Sequence, residues 1–261
     1  MNKEKINTYG DTLYSCLRNR TTITPITIQE KAITIEDAYH ISLQLLQRRL
    51  DDGETVIGKK IGVTSEAVQN MLGVHQPDFG YLTDRMLYKN GDTLPISTEM
   101  IQPKAEGEIA FILKQDLEGP GVTSADVIRA TESVMPCFEI VDSRITDWQI
   151  KIQDTVADNA SCGVFVLGEQ TVSPNKVDLV NCGMVHEKNN EIIATGTGAA
   201  ALGSPANCVA WLANTLSEYG IKLEAGEVIL SGSLVPLQNA VVGESMRVSV
   251  EGIGDVSVHF E

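Results

Sequence analysis

The sequence predicts an α+β fold, with a helical N-terminal region followed by a β-rich body. Before about residue 90, apolar residues recur at steps of three and four, which is the period of one helix face. Beyond that point, short runs alternate between apolar and polar residues, as half-buried strands do. These runs do not alternate regularly with helices, which disfavours a doubly wound parallel sheet. We therefore expect residues 1–90 and 91–261 to be two parts of one integrated domain.

Three helices are expected in the N-terminal part. The second begins at Thr34, where the pattern Thr-x-x-Asp has the form of a capping box, and it ends at Gly53. A short third helix begins at residue 64 or 65 and is closed by Gly73. The first helix has one apolar face, formed by Ile6, Tyr9, Leu13 and Leu17.

Two further helices and several hairpins are expected in the body. One helix runs from residue 123 or 124 to Val134, ahead of Pro136, and the other begins at Ser204. The dipeptide Asn90-Gly91 is typical of a hairpin turn. Alternating residues indicate two more antiparallel pairs, 185–187 with 191–194 and 246–250 with 256–260.

Composition and charge restrict the partners. The chain has 261 residues, of which 43% are hydrophobic and 21% charged, as in ordinary folded proteins. It carries 20 basic and 35 acidic residues, a net charge of −15, which disfavours nucleic acid and anionic membranes as partners. No apolar run reaches the about 18 residues typical of a membrane span. We expect a cytoplasmic protein that binds a small molecule or its own copies.

The five cysteines do not suggest a disulfide framework or a zinc site. They are far apart in the chain, and none belongs to a Cys-x-x-Cys pair. A disulfide network or a structural zinc site is therefore not expected. We interpret most of these cysteines as small, buried apolar residues.

The most informative cluster is Glu106-Gly107-Glu108. Side chains two apart on a strand share a face, so these carboxylates would lie side by side within a mostly apolar run. Glu139 lies in a second apolar run. Neighbouring buried carboxylates repel unless a cation or a shared proton compensates, and carboxylates without His or Cys favour Mg²⁺ or Mn²⁺ over zinc. Alternatively, all three line solvated surfaces.

A lysine pair and an aspartate are further candidates. If residues 58–63 are extended, Lys59 and Lys60 point to opposite faces, and an inward lysine could bind an anionic substrate or transfer a proton. Both could instead be surface lysines beside a turn. Asp78 is either a turn former or, because Phe79 follows it, a buried polar group.

Two serines complete the set of candidates. Ser161 ends a polar loop that opens into an apolar strand, where its hydroxyl could donate to a substrate oxygen or serve only the loop. Ser233 closes Ser231-Gly232-Ser233, a segment whose glycine would allow the backbone to approach a ligand closely. We predict Ser233 as a substrate contact, with a tight turn as the alternative.

Six segments resemble those of a known family. They cover nearly the whole chain and occur in the same order as in that family: 57–65, 76–80, 102–108, 138–144, 156–161 and 226–233. Together they resemble the 2-hydroxypenta-2,4-dienoate hydratases (2-oxopent-4-enoate hydratases) of aromatic meta-cleavage pathways. These hydratases share a superfamily with 4-oxalocrotonate decarboxylases and fumarylacetoacetate hydrolase-like enzymes. The implied fold is a β-rich roll like the fumarylacetoacetate hydrolase C-terminal domain, preceded by helices.

The resemblance also implies a site and a reaction. The reaction ketonises the dienol and adds water to the conjugated enone, giving 4-hydroxy-2-oxopentanoate. A divalent metal, Mg²⁺ or Mn²⁺, takes part, and the protein is a homo-oligomer that can associate with the decarboxylase. The implied metal ligands are Glu106, Glu108 and Glu139, and the implied catalytic residues are Lys60, Asp78 and Ser161, with Lys60 and Ser161 also contacting the substrate.

Three other functions remain open at this level, and hydrolysis of an acyl-pyruvate is the weakest of them. A 4-oxalocrotonate decarboxylase would use the same metal to stabilise a similar dienolate. Its lysine segment usually reads Gly-Leu-Lys-Met-Gly, whereas residues 58–62 of this chain read Gly-Lys-Lys-Ile-Gly, which favours the hydratase. The second alternative is a non-catalytic partner of that decarboxylase, and an intact set of three carboxylates argues against it.

Overall fold

The computed structural model describes residues 1–261 and confirms the α+β class. The α-helices are α1 (Lys3–Asn19), α2 (Ile26–Gln29), α3 (Ile35–Asp51), α4 (Glu66–Leu72), α5 (Ile96–Glu99), α6 (Ser124–Ala130), α7 (Ile152–Ala157) and α8 (Pro205–Ser217). The strands are β1 (Val56–Gly62), β2 (Asp78–Thr83), β3 (Leu87–Lys89), β4 (Thr93–Leu94), β5 (Lys104–Leu113), β6 (Thr131–Val141), β7 (Cys162–Leu167), β8 (Gly183–Lys188), β9 (Glu191–Thr197), β10 (Val228–Leu230), β11 (Gln238–Asn239), β12 (Ser245–Val250) and β13 (Gly254–Phe260).

Strands from distant parts of the chain build the larger, eight-stranded sheet. Its order is β2-β1-β10-β5-β6-β7-β3, and β11 pairs with β5. The β1–β10 and β3–β7 pairs are parallel, and the other neighbours in this order are antiparallel. Strands β2 and β7 are far apart in the order, yet they contact each other. The sheet therefore curls into a roll, as the family resemblance implies.

Strand β5 decides which side chains face the inside of the roll. It pairs with β6 along its whole length. A Cβ at Gly107 would touch Val248 and Met184 of the second sheet, so this position faces outward. Because side chains alternate along a strand, Glu106 and Glu108 face the interior of the roll.

The second sheet covers the outer face of the roll. Its order is β4-β13-β12-β8-β9, and it contains the two hairpins expected from the sequence, β8–β9 and β12–β13. The main hydrophobic core lies between this sheet, the roll and helix α8. Burial of this apolar surface is the principal stabilising term for such a sandwich.

The N-terminal helices pack on each other and on the edge of the roll. Helix α3 packs against α1 and α7, and it begins with the expected capping box at Thr34. Tyr39 of α3 stacks on Phe79 of β2, with 4.3 Å between the ring centroids. This contact ties the helical layer to the strand that begins with Asp78. None of the helices combines the length and the apolar character needed to cross a membrane.

Two local expectations were wrong. The helix expected to reach Val134 ends at Ala130, because the following residues pair with β5 as strand β6. Pro136 lies within β6, where it is tolerated because its backbone nitrogen faces the β7 side and β7 has already ended at Leu167. Its carbonyl accepts the N–H of Gly168 on that same side.

The Asn90-Gly91 turn does not close a hairpin. The strand before it, β3, pairs with β7 in the roll, and the strand after it, β4, pairs with β13 in the second sheet. Local turn chemistry therefore reverses the chain at this point, while the pairing partners are set by packing between distant segments. Strands β1, β2 and β3 all precede residue 90 and belong to the roll.

Candidate active site and metal centre

Three carboxylates meet inside the roll. Glu106 and Glu108 lie on β5, and Glu139 is directly opposite Glu106 on β6. One oxygen from each side chain lies within 4.8 Å of the other two. Glu108 and Glu139 are fully buried, and Glu106 is partly exposed. The structure thus brings together the three residues that the sequence singles out as metal ligands; below, this cluster is called the carboxylate triad.

The triad has the donor set of a site for a hard divalent cation. Oε1 of Glu108 and both carboxylate oxygens of Glu139 are buried and make no hydrogen bond, although Lys60 Nζ lies 3.2 Å from Oε1 of Glu139. The second Glu108 oxygen accepts the N–H of Gly232 at 2.8 Å. Carboxylate oxygens without donors are costly to bury in charged form unless a cation compensates. Because the donors are all carboxylate oxygens, the residues fit a cation such as Mg²⁺ or Mn²⁺.

Burial and mutual repulsion oppose ionisation of the triad. Burial, together with the charge of Glu139, raises the pKa of Glu106 to about 7. The same two causes raise the pKa of Glu108 well above its usual range. A divalent cation between the carboxylates would favour their charged forms and reverse these shifts.

A lysine and an aspartate from neighbouring strands extend the site. Lys60 of β1 is buried, and its Nζ lies 3.2 Å from Oε1 of Glu139. Asp78 is buried opposite Gly62 of β1, and its Oδ1 has no hydrogen-bond donor. A Cβ at Gly62 would collide with this oxygen and lie 3.2 Å from Lys60 Nζ. Glycine therefore leaves the space into which both charged groups project.

The pKa values of Lys60 and Asp78 are both raised, which favours the charged form of Lys60 and the neutral form of Asp78. Burial lowers the pKa of Lys60, but the charges of Glu139 and Asp78 outweigh this effect, so its pKa is raised overall. Burial raises the pKa of Asp78, and the Lys60 charge opposes that shift. Lys60 is thus a fixed positive charge, whereas Asp78 takes up a proton more readily than an exposed aspartate.

The adjacent lysine has a different role. Lys59 points to the other face of β1, where it is buried in an ion pair with Glu227. Its Nζ also lies 6.0 Å from the centroid of the Tyr81 ring. The alternative of two surface lysines is wrong, because both are buried, and Lys60 is the one that faces the triad.

Ser161 lies in a turn with an unusual backbone. The three residues of the turn Asn159–Ser161 have φ values of 54°, 50° and 54°, all in the left-handed region. Such a conformation costs roughly 1–2 kcal/mol for each non-glycine residue, so surrounding contacts must hold it. The buried Ser161 hydroxyl lies 3.1 Å from Thr155 Oγ1. The next residue, Cys162, begins β7 beside the strand that carries Glu139.

Arg144 anchors this left-handed turn. Its guanidinium donates to Asp158 Oδ1 at 2.5 Å, to the Asp158 carbonyl at 2.6 Å and to the Cys162 carbonyl at 3.0 Å, and it also donates to the Asp142 carbonyl. Both charged side chains of the Arg144–Asp158 pair are buried. The guanidinium of Arg144 therefore binds both the carbonyl that precedes the turn and the carbonyl that follows it.

Ser233 directly follows Gly232, whose backbone N–H donates to a carboxylate of the triad. Its half-buried hydroxyl donates to the Val235 carbonyl at 2.6 Å. The residue that touches the triad is Gly232, whose φ is 97° and whose N–H binds Glu108. A Cβ at Gly232 would collide with Thr64, so close approach of the backbone requires glycine here.

Sequence reasoning did not predict that Gly62 makes room for Lys60 and Asp78, or that Asn159 contacts β2. Gly62 had a usable signal, because a glycine two residues after an inward-facing lysine leaves room on the same strand face. Asn159 had only a weak signal, since asparagine tolerates left-handed backbone better than most residues. Its contacts with β2 connect segments 78 residues apart and are visible only in the folded chain.

Comparison with known families agrees with this geometry. A family model described as the fumarylacetoacetate (FAA) hydrolase C-terminal domain matches residues 54–261. The chain belongs to this family. The matched region begins just before β1, so the fumarylacetoacetate hydrolase part contains every strand of both sheets and all the candidate site residues.

Two curated relatives with hydratase names are close in sequence. A 2-hydroxypent-2,4-dienoate hydratase from Pseudomonas putida is 70% identical over 221 residues, covering 85% of this chain and 100% of the relative. A 2-hydroxyhexa-2,4-dienoate hydratase from Comamonas testosteroni is 57% identical over 259 residues, covering 99% and 98%. These matches confirm the family and the enzyme class predicted from the sequence.

A solved structure is similar over the whole chain. 4-Oxalocrotonate decarboxylase from Pseudomonas putida G7, complexed with magnesium and adipate, superposes with a TM-score of 0.97 at 34% identity. The match covers 100% of this chain and 99% of the decarboxylase. It confirms the predicted fold. Another structure of that decarboxylase contains calcium and acetate, so this neighbour binds divalent cations.

Proposed function

We propose that the chain is a metal-dependent hydratase that converts 2-hydroxypenta-2,4-dienoate (2-oxopent-4-enoate) and water to 4-hydroxy-2-oxopentanoate, as in aromatic meta-cleavage catabolism. The observation that carries this proposal is the buried triad beside Lys60 and Asp78, in a chain 70% identical to a protein with a hydratase name. With a divalent cation held by the triad, that cation and Lys60 would together attract a substrate that is an anion and becomes an enolate.

We assign the triad to Mg²⁺ or Mn²⁺ because its donors are carboxylate oxygens. When bound, the cation supplies Lewis acidity that polarises the 2-oxo group and stabilises the negative charge of the enolate. Glu108 and Glu139 would contribute the buried oxygens that make no hydrogen bond within the protein. The Gly232 N–H fixes the orientation of the Glu108 carboxylate.

The remaining residues would bind the substrate and move protons. In ketonisation the 2-hydroxyl loses a proton and C5 gains one; in hydration the water oxygen bonds to C4 and C3 gains a proton. Lys60, held protonated beside Glu139, would neutralise the substrate carboxylate or the enolate. Asp78, whose pKa is raised by burial, would transfer a proton or activate water. Ser161 and Ser233 are proposed as polar contacts to the substrate.

A direct assay tests this proposal. Metal-stripped protein is mixed with freshly generated 2-hydroxypenta-2,4-dienoate, and the dienol absorbance is followed with and without Mg²⁺ or Mn²⁺. We expect metal-dependent loss of the dienol with formation of 4-hydroxy-2-oxopentanoate. No turnover of the dienol, with release of carbon dioxide from 4-oxalocrotonate, would reassign the chain to decarboxylation. Decarboxylation is the second candidate function, because the chain superposes on a 4-oxalocrotonate decarboxylase over its whole length.

The proposal extends to assembly. We propose a homo-oligomer, and a complex with a 4-oxalocrotonate decarboxylase, as the family resemblance implies. Sedimentation of the chain alone and after mixing with that decarboxylase measures both. A monomer in each case would contradict the assembly proposal without affecting the proposed reaction. The cytoplasmic location stays a prediction from the sequence.

A further inference from the structure

Strand β2 is an edge strand of the roll, and its free edge is closed by a side chain. On one side β2 pairs with β1, and no strand follows it on the other side. There the Asn159 carboxamide accepts the Tyr81 N–H at 2.8 Å and donates to the Tyr81 carbonyl at 3.0 Å. A carboxamide carries both a donor and an acceptor, so it can replace the backbone partner that the strand lacks.

The backbone of Asn159 also lies against the strand. A Cβ at Gly80 would be 2.5 Å from the Asn159 carbonyl oxygen, so only glycine permits this approach. Gly80 is opposite Lys60 in the β1–β2 ladder, and Asp78 is two residues before it. Asn159 therefore contacts the strand that carries Asp78 at the point where it pairs with Lys60.

The other side of the turn is fixed to the strands of the triad. The Ser161 carbonyl accepts the N–H of Asp142 at 2.8 Å, just after β6, which carries Glu139. The Arg144 guanidinium donates to the Asp158 carbonyl before the turn and to the Cys162 carbonyl after it. Asn159 is thus connected on one side to Asp78 and Lys60 and on the other side to Glu139.

We propose that Asn159 is a positioning residue of the active site, which holds edge strand β2, and with it Asp78, at the working distance from Lys60 and the carboxylate triad. Its carboxamide is fully occupied by Tyr81, so Asn159 acts through these residues and does not touch the substrate. This inference rests on the proposed function for the reaction that it affects. The positioning itself has readouts that do not depend on turnover.

The test compares Asn159→Gly with Ala160→Gly. Glycine at 159 keeps the left-handed backbone and removes the carboxamide, whereas glycine at 160 changes the same turn and leaves the carboxamide in place. For Asn159→Gly we expect kcat to fall about 100-fold, as a misplacement near 1 Å does, with Mn²⁺ affinity unchanged. Hydrogen exchange at the Tyr81 amide should become faster. Ala160→Gly should match the wild type in all three measurements.

Asn159→Asp is the second variant, because it keeps the size of the side chain and its acceptor but loses the donor to the Tyr81 carbonyl. We expect a loss of kcat in the same direction, again with normal Mn²⁺ affinity. Wild-type kcat in either Asn159 variant would overturn the proposal. Equal losses of kcat and Mn²⁺ affinity in Asn159→Gly would also overturn it, since they indicate general loosening of the fold. If the wild-type protein does not hydrate the dienol, the proposed function fails, and unchanged Tyr81 exchange in Asn159→Gly then separately overturns the positioning.

Discussion

The two halves of the candidate site are held in place by different means. The triad lies on β5 and β6, two central strands that pair along the full length of β5. Lys60 and Asp78 lie on β1 and β2, and β2 is an edge strand whose free side is bonded by Asn159. The proposed metal ligands and Lys60 are thus fixed by sheet pairing on both sides of their strands, whereas the outer side of the strand that carries Asp78 is held by a side chain and a left-handed turn.

This difference indicates which half is easier to disturb. A ladder of backbone hydrogen bonds is shared among many residues, so no single side chain decides its geometry. The position of β2 depends on the Asn159 carboxamide, on the stacking of Tyr39 on Phe79 and on the space left by Gly62. We expect metal binding and proton transfer to be separable by mutation, and the following variants test that separation.

The largest effect is expected from Glu106→Gln combined with Glu108→Gln. Both changes remove negative charge from the triad, and metal affinity should fall by more than the about 10- to 100-fold that loss of an outer partner costs. Turnover should fall by about 1,000-fold or more, because enolate charge is no longer stabilised. Mn²⁺ titration and dienol consumption measure the two quantities. Full activity in this double variant would remove the triad from the mechanism.

Lys60→Met should lower kcat by about 100- to 1,000-fold, the usual cost of removing one group that stabilises a developing negative charge. Metal binding should not weaken, because Lys60 repels a cation near Glu139. The matched control is Lys59→Met, which breaks the buried pair with Glu227 on the opposite face. We expect this control to lower the free energy of unfolding and to leave kcat unchanged. Equal losses of kcat in both variants would contradict a specific role for Lys60.

Gly62→Ala tests the space between Lys60 and Asp78. The added methyl collides with Asp78 Oδ1 and presses on Lys60 Nζ, and a displacement near 1 Å costs about 100-fold in kcat. Metal affinity should stay at the wild-type value. Gly183→Ala is a control of the same chemistry in β8, where the new Cβ meets only Glu251 Oε2 at 3.6 Å. A normal kcat in Gly62→Ala would show that Asp78 tolerates displacement.

The smallest effect is expected from Ala160→Gly on stability. Glycine relieves the left-handed backbone, worth roughly 1–2 kcal/mol, but loses about 0.5–1 kcal/mol through the freedom of the unfolded chain. The free energy of unfolding, measured by urea denaturation, should therefore change by no more than about 1.5 kcal/mol. A larger loss would show that the Ala160 methyl group, which is buried, contributes to packing.

The sequence predicted the triad more completely than the other half of the site. Glu106 and Glu108 share a face because of strand periodicity alone, and the apolar residues around Glu139 indicate burial. Strand periodicity narrowed the lysine that faces the site to Lys59 or Lys60. Because both are buried, the choice between them depends on which face of β1 meets the triad. Family resemblance, rather than periodicity, identified Lys60.

The parts that could not be predicted depend on contacts between distant segments. Pro136 suggested the end of a helix, yet β6 passes through it because the neighbouring strand stops one residue away. The Asn159 contacts with Tyr81 and the Arg144–Asp158 pair form only once β2, β6 and β7 surround the turn. Local sequence patterns carry little information about such contacts, because each partner looks like an ordinary loop residue.

The most direct test of the separation is to measure Mn²⁺ affinity and dienol turnover on the same preparations of wild type, Glu108→Gln and Lys60→Met. Glu108→Gln should lose both metal affinity and turnover, whereas Lys60→Met should lose turnover and retain metal affinity. Loss of metal affinity in Lys60→Met equal to that in Glu108→Gln would contradict the account of two separately held halves. Metal-dependent turnover at the wild-type rate in Glu108→Gln would contradict the assignment of the triad itself.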